Sequence, residues 1–137
     1  MLRLTAADAE DLSIISAQMQ DALMQRADLR FDQMRRRFAF VANRFAWDAL
    51  PEKQRRRAGI HFDDVEAVQA AGLASLAADA VLSLLAITHE SDGALAGTIT
   101  LSFSLGIRIR LKVACINVTL ADLGGTWEAA LAPSHKL

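Results

Sequence analysis

Leu12, Ile15, Met19 and Ala22 recur at i, i+3, i+7 and i+10, with Ile14 and Leu23 beside them. That spacing draws one apolar stripe down a helix. The stripe predicts a helix from Thr5 to about Leu23. Thr5 serves as the expected N-cap, answered by Asp8 three residues on in a capping-box arrangement. Asp8, Glu10 and Asp11 then load the first turns with the negative charge that a helix dipole favours.

From Asp28 onward the period changes to two, the signature of strands. Leu29 and Phe31 share one face of a short strand, and Met34-Arg35 offers a tight reversal into a longer strand from Arg36 to Trp47. Phe38 and Phe40 point one way in that strand, whereas Phe45 and Trp47 have the opposite parity. A change of face near Ala42-Asn43 therefore predicts a β-bulge or bend. Asp48 to Gln54, with Pro51, reads as a turn. Ala58, Ile60 and Phe62 alternate again, followed by a kink at Asp63-Asp64 and then Val65 and Val68. The segment from Asp63 to Ala78 is open between strand plus connector and a helix capped by Asp63. Val81 to Ile87 is a nearly continuous apolar run, as expected of a central strand.

The next hairpin can be placed residue by residue. Ile99, Leu101 and Phe103 alternate with polar residues, and so do Ile107, Ile109, Leu111 and Val113. Directly opposed residues of an antiparallel pair share a face. A two-residue loop would set Phe103 against Arg108 and mix the faces. A loop of Ser104-Leu105-Gly106 pairs Phe103 with Ile107, and puts Gly106 where such hairpins need a left-handed residue. Cys115 to Leu120 forms a last strand that Gly124-Gly125 ends, and the tail to Leu137 has no period.

These elements predict one α+β domain over residues 1–137: an N-terminal helix packed on a strongly curved antiparallel sheet or partly open β-barrel of about seven strands. The strands span about residues 28–120, and an irregular tail covers about 124–137. A chain of 137 residues is of one-domain size and needs no staples to hold its core. Charge is balanced at −1 overall, which gives no global attraction to nucleic acid or to a membrane. Locally it is uneven. Between Arg26 and Arg57 ten basic residues face four acids, a net +6, so the remainder carries −7. No apolar run approaches the ~20 residues of a membrane helix. The charged N-terminal helix does not read as a signal peptide, so the expected location is cytoplasmic.

Several phrases resemble a family of small bacterial proteins of unknown function: DAEDLSIISAQMQDA, RRFAFVANRFAW, GIHFDDVEAV, LLAI and LADLGGTW. The resemblance spans nearly the whole chain, and its motifs are structural rather than catalytic. GIHFDDVEAV is also similar to the strand-and-turn phrases of pleckstrin-homology-like barrels. Those domains close with a C-terminal helix, whereas the clear helix here is N-terminal.

The candidate chemistry is sparse. His61, His89 and His135 have no ligand spacing, and the single cysteine, Cys115, allows neither a disulfide nor a thiolate cluster. No metal or cofactor is expected, and no catalytic set is assigned. Cys115 lies between apolar neighbours as a packed thiol. Gly93 and Gly97 lack the lysine and the strand-to-helix context of a phosphate loop. Arg108, Arg110 and Lys112 form a cationic row on one strand face. That row is either a solvated face or an anion-binding one. The triplets Arg35, Arg36, Arg37 and Arg55, Arg56, Arg57 fall at opposite ends of a hairpin, some 30 Å apart. The expected function is therefore a small non-catalytic module that binds a protein partner or a second copy of itself, with Phe45 and Trp47 as interface candidates. The alternative is phosphate-ligand or nucleic-acid binding through Arg108, Arg110 and Lys112; nucleic acid is not the expected partner. An enzyme using His61 near Asp63 or Asp64 is the third possibility.

Overall fold

The computed structural model describes residues 2–47, 54–93 and 95–123. The predicted turn around Pro51 and the tail from Gly124 lie outside them. Among the described residues one helix, α1 (Ala9–Met19), is accompanied by ten strands. These are β1 (Arg3–Ala6), β2 (Leu23–Gln25), β3 (Arg30–Asp32), β4 (Arg37–Phe45), β5 (Arg55–Phe62), β6 (Val65–Ala71), β7 (Val81–Ser91), β8 (Gly97–Phe103), β9 (Arg108–Val113) and β10 (Val118–Asp122). They form one antiparallel sheet in the order β1-β10-β5-β4-β2-β7-β8-β9-β6, with β3 paired to β4. The α+β reading with a helix on an antiparallel sheet holds. The strand number is ten rather than about seven, and the sheet is not closed into a barrel: its path ends at β1 and β6.

The helix is shorter than its stripe. Asp8, not Thr5, is the N-cap, and its side chain accepts from the Asp11 amide at 2.8 Å. The residues before it, including Thr5, pair as β1 with β10. The chain leaves the helix through Asp21 at φ 67° and enters β2 at Leu23. The predicted stripe is nonetheless the buried face: Leu12, Ile15, Met19 and Ala22 are all core residues. The helix packs across β7, β1 and β4. Ser16 Oγ accepts the Ile87 amide at 2.9 Å, beside an irregular step in the β7–β8 ladder between Leu84 and Ala86.

The predicted bulge in β4 is absent. Its register with β5 runs unbroken from Phe38↔Phe62 to Phe45↔Arg55. The inward face continues through Phe38, Phe40, Ala42 and Arg44, and the last of these is a fully buried arginine. Phe45 is outward because the alternation persists, not because it breaks. The same ladder separates the arginine triplets, with Arg37 at one end of β4 and Arg55 opposite its other end.

Segment 63–78 is strand β6 and a connector, not a helix. Asp63 and Asp64 alone separate β5 from β6, and Asp64 turns the corner at φ 57°. The partner strands β9 and β10 bend at the same place: Asp63 N donates to Asn117 O, and Ala114 N to Asp64 O. The hairpin of β8 and β9 has the predicted register, Leu101↔Ile109, Thr100↔Arg110 and Ser102↔Arg108, with Gly106 at φ 71°. β10 begins at Val118, later than expected, because residues 114–117 form that corner.

Candidate functional site

The cationic row lies on a patterned surface. Three cross-strand rows run over β7, β8, β9 and β6. They read Ala86, Ser102, Arg108, Ala71; then Thr88, Thr100, Arg110, Gln69; then Glu90, Thr98, Lys112, Ala67. Alternation sends Ile99, Leu101, Ile109 and Leu111 into the core and these residues outward. Arg108, Arg110 and Lys112 are exposed, stand two residues apart on one strand, and so are spaced by roughly 7 Å. Among the described residues none of the three forms an ion pair, and Glu90 is the only acid in the rows. Hydroxyls flank the cations on the β8 side, around a depression of about 430 Å³. A second, of about 480 Å³, lies between the arginines and the small residues of β6. Cations with hydroxyl donors alongside are suited to carboxylate or phosphate oxygens.

Phe45 and Trp47 are brought together, with ring centroids 4.4 Å apart at 64°. Both are half-buried. Trp47 Nε1 donates to Gln20 O at 3.3 Å, and Arg55 Nη1 donates to Asp21 O at 3.0 Å. Trp47 and Arg55 thus satisfy carbonyls of the C-cap Gln20 and of Asp21 just past it, where the helix offers no internal partner.

His61 faces outward from β5, as its parity requires. Its Nδ1 lies 2.9 Å from Asp63 Oδ2, while Arg37 Nε donates to Asp63 Oδ1 at 2.6 Å. Asp32 is the register partner of Arg37, but the Arg37 ion pair goes to Asp63, and Asp32 meets Arg35 instead. Cys115 donates to Asp64 Oδ2 at 3.4 Å; burial and that neighbouring carboxylate both push the thiol up, away from a reactive thiolate. No group of three or more His, Cys, Asp or Glu among the described residues is placed to hold a metal.

One buried polar pair was not foreseen. Arg44 Nε and Nη2 donate to the two oxygens of Asp122, both at 2.7 Å, with the guanidinium fully buried. Asp122 also accepts the Leu2 amide at 2.8 Å. Ala42, Ala58 and Asp122 occupy one cross-strand row, so two short side chains leave room for the guanidinium. The available signal was parity: Arg44 follows Phe38, Phe40 and Ala42 on the inward face, as Asp122 follows Val118 and Leu120.

Architecture and surface together define an α+β protein of one helix on an open antiparallel sheet, with a cationic, hydroxyl-lined outer face. The chain belongs to the family described as "Protein of unknown function (DUF2948)", whose model matches residues 2–135. No curated protein and no solved structure matches it. No helix among the described residues is long and apolar enough to cross a membrane.

Proposed function

We propose that this protein is a non-catalytic binding module that docks an acidic, extended segment of a partner protein on the outer face of β7, β8, β9 and β6. The row of Arg108, Arg110 and Lys112, without ion-pair partners among the described residues, carries this reading. An extended chain places alternate side chains on one face at the spacing of the row itself. Carboxylates at every second position would therefore meet the three cations in register. No aromatic side chain stands in the cross-strand rows to stack on a base, which argues against single-stranded nucleic acid. Among the described residues β6 has no strand on its far side, and its outward residues Ala67, Gln69 and Ala71 are uncharged. Natural edges are commonly guarded by charge or proline. A partner strand could extend the sheet here beside the cations.

The test uses polyglutamate and duplex DNA as competing probes at several salt concentrations. Polyglutamate should bind with steep salt dependence. The triple variant Arg108→Gln, Arg110→Gln, Lys112→Gln should lose that binding at unchanged thermal stability. Equal binding by the triple variant removes this face from the function. Tighter binding to DNA than to polyglutamate replaces the protein partner with nucleic acid.

A further inference from the structure

A further outward depression lies on the half of the sheet built from β1, β10, β5, β4 and β3. We propose that it binds a small organic carboxylate with a compact apolar body. Its volume is about 320 Å³. Ala39, Val41, Gly59 and Ala121 form its floor. Two register rows explain the composition: Arg30, Ala39, His61, Thr119, Thr5, and beside it Val41, Gly59, Ala121, Arg3. The outward face of a solvated antiparallel sheet ordinarily carries long polar side chains. Here the middle strands carry small apolar ones, and the long cationic ones stand at the margins. Arg3 is on β1 and Arg30 on β3, strands at opposite sides of this half and roughly 19 Å apart at ordinary strand spacing. Both line the same depression.

Gly59 is the second observation. A glycine inside a strand weakens it and often marks a place where a ligand approaches closely. Nothing in the backbone demands it: its φ is not in the left-handed region, and an added Cβ would meet Leu123 at an ordinary 3.7 Å. The absent side chain leaves that space to Leu123, which also lines the depression and continues its apolar floor.

The polar groups are divided between holding and waiting. Arg37 and His61 are both tied to Asp63, which fixes the imidazole through Nδ1 and leaves Nε2 as the ring nitrogen not engaged by that carboxylate. Arg3 and Arg30 form no ion pair among the described residues. Asp28 also lines the depression, but one of its oxygens accepts the Gln25 amide. Two uncommitted guanidiniums and the Thr119 hydroxyl around an apolar floor suit a carboxylate head with a short hydrocarbon or aromatic body.

Benzoate is the probe, with benzyl alcohol as its neutral counterpart and acetate as the anion without a body. Amide chemical shifts report the site and calorimetry the affinity. Benzoate should bind saturably, with a Kd of about 1 mM or tighter, and shift the amides of β5 and β10. Benzyl alcohol and acetate should each bind at least about tenfold more weakly, as should benzoate to Arg3→Gln or Arg30→Gln. Both arginines are exposed, so these variants should fold normally. Ala39→Leu fills the floor from the outward face and should abolish binding, whereas Arg108→Gln, on the other half of the sheet, should leave it unchanged. Equal affinity for benzyl alcohol, undiminished binding by folded Ala39→Leu, or no saturable shift at all overturns the proposal. The outcome is independent of what happens on the β9 face.

Discussion

A buried arginine is among the costliest residues to desolvate, and Arg44 is accommodated because Asp122 meets it with both oxygens. Burial alone would raise the Asp122 carboxyl; the Arg44 hydrogen bonds, the Leu2 amide and the charges of Arg44 and Arg56 outweigh it and hold the group below the usual carboxylate range. Arg44→Met strands that carboxylate and should cost about 3–5 kcal/mol in urea denaturation. The pH dependence follows from the same pair. A pKa lower in the folded than in the unfolded chain means that the stabilisation is fully present above the unfolded value, about 3.9, and is lost as pH falls through the folded one. Denaturation midpoints should therefore drop steeply below about pH 4 in the wild type and less steeply in Asp122→Asn. Gly97 is constrained differently: a Cβ there would sit 2.3 Å from Glu90 O across the hairpin. Gly97→Ala should cost roughly 1–3 kcal/mol, visible as a lower Tm.

Among elements, the β8–β9 hairpin was legible to the residue because two constraints agreed. Matching the apolar faces fixed the loop length, and the loop length fixed where a left-handed residue must fall. The loop also holds Leu105 at φ 64° and ψ 20°. Leu105 is 74% exposed, so little packing offsets the backbone strain. Leu105→Asn, a residue that tolerates this conformation, should raise stability by up to about 1 kcal/mol in thermal melts. The β4 strand was misread for the complementary reason. The opposite parity of Phe45 and Trp47 suggests a change of face only if Arg44 cannot point inward, and Arg44 does point inward. The helix was overextended because its apolar stripe continues into Ala22 and Leu23, while Asp8 and Asp21 set the actual ends. A stripe marks a face; caps and turns mark the boundaries.

Across the whole molecule, charge and topology are linked. The basic segment from Arg26 to Arg57 is divided by the β4–β5 ladder into separate ends, and part of it is used internally: Arg37 on Asp63, Arg44 on Asp122, Arg55 just past the end of α1. The three cations on β9 lie outside that segment and form no ion pair among the described residues. Topology is strongly non-local, since β1 pairs with β10 and Leu2 bonds Asp122 from the other end of the described chain. Loop closure must precede such pairing, so refolding followed by stopped-flow fluorescence of the tryptophans should occur in milliseconds to seconds. Completion within microseconds would contradict this sheet order.

The sequence by itself determined the apolar stripe of the helix, the α+β class, the β8–β9 register, a break after Phe62 and the separation of the arginine triplets. Each follows from local periodicity or turn chemistry, which neighbouring residues specify. Only the tertiary structure decided the order of the strands, the pairing of Arg44 with Asp122 and of Arg37 with Asp63, and the outward depressions. Those features depend on which strands become neighbours. Strand pairing joins residues far apart in the chain, and the alternation of a single strand carries no record of its partner.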